Sequence, residues 1–276
     1  MVPPRDDTGA PVPVPDRVRR VVSLVPSLTE TIAGTAPGLL AGATDWCTHP
    51  AGLDVPRVRG TKNPDLERVA ALRPDLVVGN TEENRAPDVA ALRDAGIPVW
   101  MTEIRTVAKA LVSLRRMLVE GCGVPVPGWL DEAARAWPEP RPDAGGAYAD
   151  GEDAGGGGDQ GARRRAIIPI WRRPWMVVGR ATFTGDVLAR LGVDNLYAAH
   201  PERYPKIPIG ELNAAGADLV VLPDEPYRFT AGDGPEAFPG TDAALVSGRH
   251  LTWYGPSLVE APRVLAGQLA DPLRAG

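Results

Sequence analysis

Cysteine and histidine are scarce in this chain: two cysteines and three histidines in 276 residues. Cys47 and Cys122 exclude a disulfide framework and leave room for one bridge at most. His49, His200 and His250 have no metal-ligand spacing, and Cys47-x-His49 offers two ligands where a closed zinc site takes four, so no protein-bound metal is expected. An excess of positive charge is also missing. The formal net charge is -5, and the run Arg163 to Arg165 is the only basic cluster of note, which argues against a nucleic-acid partner. That run reads as a solvated entry into the strand that follows.

No stretch is long and apolar enough to cross a bilayer. The opening MVPPRDDTGAPVPVPDRVRR carries acids and prolines where a secretory signal needs a basic start and an apolar core. As the sequence stands the expected location is cytoplasmic; a start further upstream would make it extracytoplasmic. The chain also has no Gly-x-Ser-x-Gly elbow, no Walker loop, no zinc motif and no dinucleotide fingerprint after its first strand. Glu82 and Glu83 are adjacent and point differently, so they make a poor acid–base pair. No catalytic residue is assigned, and the chain is read as a binding protein and not an enzyme.

What is present is an alternation of short apolar runs and amphipathic segments. Residues 1–16 read as a disordered, Pro-rich leader. Val21 to Val25 is a β-branched run predicting a buried strand; Ser27 and Glu30 then form a capping-box pattern opening a helix. Asn63 and Pro64 suit a helix start, with Leu66, Val69, Ala70 and Leu72 as its apolar face, and Asp75 to Gly79 is again a strand. A helix over 87–95 ends at Gly96, and Ile97 to Met101 is the next strand. Strands alternating with helices predict parallel sheets covered on both faces. The resulting organisation is a leader (1–16), an N-terminal α/β lobe (17–104), bridging helices (105–137), a Gly-rich disordered insert (138–163) and a C-terminal α/β lobe (164–276). An echo supports two similarly built lobes. Leu66-Glu67-Arg68-Val69-Ala70-Ala71 leads into Asp75-Leu76-Val77-Val78, and Gly210-Glu211-Leu212-Asn213-Ala214-Ala215 into Asp218-Leu219-Val220-Val221.

Several segments match one family in order: Arg20-Val-Val-Ser-Leu-Val-Pro-Ser-Leu-Thr-Glu30, Thr44-Asp-Trp-Cys-Thr-His-Pro50, the stretch Asn63 to Val78, Ala95-Gly-Ile-Pro-Val99, Gly185-Asp-Val-Leu-Ala-Arg-Leu-Gly-Val-Asp-Asn195 and Leu251-Thr-Trp-Tyr-Gly255. From about Arg17 to Asp271 the chain resembles the solute-binding proteins for vitamin B12 and ferric siderophores that serve ABC importers. The resemblance implies an α/β fold of two lobes, each a parallel sheet flanked by helices, bridged by a helical backbone with a ligand cleft between them. It implies a metal chelate as ligand, a cobalamin-like corrinoid or a ferric siderophore, with no tightly bound cofactor and a monomeric chain. It also implies that Glu67 and Glu211, one on each lobe, dock with arginines of an ABC permease, where a carboxylate forms charge-assisted pairs with a guanidinium. A cytosolic chelate sensor, chaperone or storage protein of the same fold is the alternative that the opening residues raise.

In open parallel sheets the binding crevice lies beyond the carboxyl ends of the strands. Those ends carry Pro26, Ser27, Trp46, Trp171, Arg172, Trp175, Tyr227, Trp253 and Tyr254, a concentration of rings in a chain only 5% aromatic. Such side chains suit a flat, polarisable chelate, and arginine suits its acidic groups. These nine residues are the candidate ligand contacts.

Overall fold

The computed structural model describes residues 2–137 and 163–274. They divide into two units, each with its own sheet. The first runs to Ile104 and adds Ala108–Ala134 and Tyr254–Pro256; the second takes Arg105–Val107, Arg135–Trp253 and the chain from Ser257 on. The predicted Gly-rich insert lies outside the described residues, apart from Arg163.

In the first unit the β-branched run at the start forms β1 (Val21–Ser23), followed by α1 (Pro26–Thr35), β2 (Leu40–Ala43) and a small antiparallel hairpin, β3 (Arg59–Gly60) with β4 (Asn63–Pro64). Next come α2 (Leu66–Ala71), β5 (Leu76–Asn80), α3 (Ala86–Asp94), β6 (Val99–Thr102), α4 (Val107–Arg116) and α5 (Gly128–Ala136). A parallel sheet of order β2-β1-β5-β6 results. Every residue of β1, β5 and β6 is buried, as continuous apolar runs require when both faces of a sheet are covered. Val69 of α2 and Val89 and Leu92 of α3 pack on Val22, Val77 and Val99 of the sheet.

Two helix starts differ from the sequence pattern. Pro26 itself takes the first turn of α1, with Val25 as N-cap and no side-chain cap, so the Ser27–Glu30 capping box does not open the helix. Proline's fixed φ and missing N–H fit that position without help. At α2 the cap is Asp65, which accepts from the Arg68 N–H at 3.0 Å; Asn63 and Pro64 belong to the hairpin. Beyond α3 the chain turns at Gly96, φ 76°, the left-handed residue expected there.

The disordered-leader expectation is corrected. The side chains of Asp6 and Asp7 have no solvent exposure, and Val12 has none either. Asp6 accepts from the Met101 N–H (3.2 Å) and pairs with Arg93 (2.8 Å). Asp7 accepts from the Glu103 N–H (3.0 Å) and from Arg116 (3.1 Å), while its own N–H donates to the Met101 carbonyl (3.1 Å). The physical reason is the edge position of β6, whose outer peptide groups need partners. Two carboxylates and a length of backbone supply them, a role that low hydrophobicity does not reveal.

The second unit repeats the plan with β7 (Arg164–Ile167), the hairpin β8 (Pro169–Arg172) and β9 (Trp175–Val177), α6 (Phe183–Arg190), β10 (Val193–Asn195), α7 (Ile209–Ala214), β11 (Leu219–Pro223), β12 (Ala243–Val246), α8 (Gly248–Thr252) and α9 (Ala261–Ala270). Its parallel sheet has the order β10-β7-β11-β12, the same as the first. The echoed segments, α2–β5 and α7–β11, therefore occupy equivalent places. Their shared aspartate does equivalent work: Asp75 accepts from the Arg20 N–H at 2.9 Å, and Asp218 from the Arg165 N–H at 2.8 Å, each tying the third strand to the start of the first. The basic run is correspondingly neutralised, with Arg163 on Asp194 and Arg165 on Asp218. Among the described residues no helix is long and apolar enough to cross a membrane.

Candidate functional site

In each sheet the first strand has one neighbour that follows it and one that comes later, so the chain leaves the two central strands in opposite directions. The carboxyl ends at that switch point open a crevice. In the second unit the two central strands are β7 and β11. The chain leaving β7 enters the β8–β9 hairpin, and the chain leaving β11 runs through a loop to Phe238.

These two excursions bring four of the nine sequence candidates together. Trp171 meets the edge of Tyr227, ring centroids 5.6 Å apart at 79°. Trp175 stacks on Phe229 at 6.0 Å and 5° and meets Phe238 edge-on at 5.2 Å. The Arg172 guanidinium sits 5.6 Å from the Trp175 ring centroid and pairs with both Asp233 and Glu236. Tyr227 donates its hydroxyl to the Asp233 carboxylate at 2.7 Å. Burial pushes the Glu236 carboxyl up, but hydrogen bonds from the Gly234 and Glu236 N–H groups and the Arg172 charge outweigh it and hold it below the usual carboxylate range. The cluster is thus a fixed aromatic wall with an internally compensated arginine, while Trp171 stays 43% exposed. Phe229, Phe238, Asp233 and Glu236, which hold it in place, were not among the sequence candidates. They lie in a loop with no periodicity; the only sequence signal was their position after an apolar strand.

In the first unit Pro26 and Ser27 start α1 directly after β1, Ser27 being buried. Trp46 follows β2 and is 67% exposed; its indole lies against Gly60, where a Cβ would come within 3.2 Å of Nε1. At the end of β5 lies a buried amide network. Asn84 accepts from the Asn80 N–H (2.9 Å) and donates to the Thr61 carbonyl (2.9 Å), and Asn80 donates to Thr102 (3.1 Å). Asn84 was missed, because one amide in a polar loop carries no pattern. Beside it, burial pushes the Glu83 carboxyl up, against the opposing charge of Lys62. Cys47 is packed, its sulfur 3.0 Å from the Thr29 hydroxyl and 3.1 Å from that of Thr44; burial raises its thiol pKa more than those contacts lower it.

Trp253 and Tyr254 are each only 7% exposed. Glu67 and Glu211 are exposed and stand in the first turns of α2 and α7. Among the described residues no group of three or more His, Cys, Asp or Glu could hold a metal ion.

No family model matches the chain. Over 264 residues it is 24% identical to the vitamin B12-binding protein of Pectobacterium carotovorum, covering 91% of this chain and 88% of that protein. It is 25% identical over 205 residues to the vitamin B12-binding protein of Salmonella typhimurium, covering 74% and 71%. Among solved structures, the periplasmic heme-binding protein RhuT of Roseiflexus superposes with a TM-score of 0.71 at 18% identity, over 92% of this chain and 98% of that one. The periplasmic vitamin B12-binding protein BtuF of Vibrio cholerae gives 0.65 at 14%, over 92% and 97%. The fold is that of the periplasmic vitamin B12- and heme-binding proteins. These relatives are binding proteins by name, and the resemblance read from the ordered segments of the sequence is to the same group.

Proposed function

We propose that this protein is the solute-binding component of an ABC-type importer and that its ligand is a metal chelate of the corrinoid, heme or ferric-siderophore class. The observation that carries this reading is the Trp171–Arg172–Trp175–Tyr227 cluster at the switch point of the second sheet, in a chain similar along nine-tenths of its length to a vitamin B12-binding protein. Rings fixed by their own neighbours present contact area to a flat ligand at little entropic cost.

Trp46 and the Pro26–Ser27 turn, at the first unit's own switch point, and the largely buried Trp253 and Tyr254 are the further candidate ligand contacts. Glu67 and Glu211 dock the permease. Each is exposed on a short helix in the same place of a repeated plan, so the two carboxylates are presented on rigid supports. The relatives' periplasmic setting supports a place outside the cytoplasmic membrane, which cell fractionation tests. The ligand assignment is tested by titrating the protein with cobalamin, cobinamide, iron protoporphyrin IX and ferric siderophores while following tryptophan fluorescence. Saturable quenching by one of them supports the reading, and silence with all of them refutes it.

A further inference from the structure

At the turn of the β8–β9 hairpin lies a pocket of about 430 Å³ lined by Arg172, Arg173, Pro174, Trp175 and the stretch Lys206–Pro208. The two sides are fastened together: the Ile207 N–H donates to the Trp175 carbonyl at 3.1 Å, and Met176 bridges Lys206. Three cations line it, and they are not equivalent. Arg172 is neutralised twice over, by Asp233 and Glu236. Arg173 and Lys206 are exposed, and among the described residues their side chains meet no carboxylate. Two uncompensated positive charges therefore flank an apolar wall of Pro174, Trp175 and Ile207, in a chain whose net charge is -5.

We propose that this pocket receives the acidic edge of the bound chelate, with Arg173 and Lys206 pairing peripheral carboxylates and Trp175 contacting the apolar body. The inference rests on the chelate-binding reading above and narrows it: the ligand is an anionic amphiphile and not a chelate decorated only with neutral amides. An amide edge would cover two cations without answering their charge, and desolvating an unanswered charge is costly. A carboxylate edge gives two charge-assisted hydrogen bonds instead. A volume of about 430 Å³ suits a ring edge with its side arms, the rest of the chelate lying against the rings outside.

The test compares iron protoporphyrin IX with its dimethyl ester, which keeps the ring and metal and removes both negative charges. Binding of each is followed by absorbance and tryptophan quenching, on the intact protein and on Arg173→Gln/Lys206→Gln. Since among the described residues neither side chain has an ion-pair partner, the double variant should fold as the parent does. The expected result is that the acid binds about 10-fold or more tightly than the ester, the gain characteristic of hydrogen bonds to charged groups. The variant should lose that advantage while holding the ester unchanged. Equal affinities for acid and ester, or a variant that binds the acid as well as the parent, overturn the inference. Binding of cobalamin with neither porphyrin overturns it too, leaving the solute-binding reading standing; failure of every chelate removes both.

Discussion

Asp7 gives the sharpest perturbation of the fold. Its buried carboxylate accepts from the Glu103 N–H, from Ser113 and from Arg116, with Lys109 at 3.7 Å. Asp7→Ala strands a backbone donor and a hydroxyl at the sheet edge, and one such stranded donor costs about 1–3 kcal/mol. The Arg116 and Lys109 side chains are 30% and 43% exposed and can turn to water, so their share is below about 1 kcal/mol. The expected loss is about 2–3 kcal/mol, which lowers the urea midpoint by about 1 M at an unchanged slope. Asp16→Ala, at an exposed position in the same segment, is the control and should leave the midpoint where it was. If Asp7→Ala and removal of residues 1–16 both shift stability by less than about 0.5 kcal/mol, the ordered N-terminal segment is wrong and the composition argument for a free leader is restored.

Gly179→Ala should destabilise by about 1–3 kcal/mol, measured by thermal unfolding. Its Cβ would stand 2.2 Å from the Glu202 carbonyl oxygen and 3.1 Å from that of Arg203, backbone atoms that cannot rotate away. The same displacement reaches the stretch leading to Lys206 and should weaken chelate binding. Neither cysteine should react with a thiol reagent near neutral pH until the protein is unfolded. Burial raises Cys47 above its ordinary value and pushes Cys122 up to about 12, so the reactive thiolate is scarce at both; fast labelling of the folded protein would contradict the packing. The Glu236 carboxyl is held low, so its pairing with Arg172 contributes above the ordinary carboxylate pKa of about 4.3 and is lost only as pH falls through the lower folded value. Fluorescence of the Trp171–Trp175 cluster should stay flat from neutral pH down to about pH 5, and a transition within that range would refute the assignment.

The strands were readable because burial on both faces writes itself as runs such as Leu76-Val77-Val78 and Leu219-Val220-Val221. The repeated Asp before each run had a structural meaning, a tie to the first strand, that the repeat alone only hinted at. Helix starts slipped by one or two residues where a proline or a neighbouring aspartate offered a better terminus than the residue chosen. The leader misled because its partners, Arg93, Met101, Glu103 and Arg116, are about a hundred residues away and bind carboxylates, which composition counts as a reason for disorder. At the candidate site, Trp171, Arg172, Trp175 and Tyr227 stood out as rings and charge at strand ends. Asp233, Glu236, Phe229 and Phe238 did not, since a loop that folds back onto a hairpin leaves no periodic trace.

The most direct measurement is a calorimetric titration of the intact protein and of Trp171→Ala with the same set of chelates. Trp171 is half-exposed and touches Tyr227 by its edge, so its loss should spare the fold. The expected result is one chelate bound per chain, with the affinity of Trp171→Ala reduced by about 10-fold or more, the cost of removing a central aromatic contact. No saturable heat from any chelate, or identical binding by parent and variant, would contradict the account.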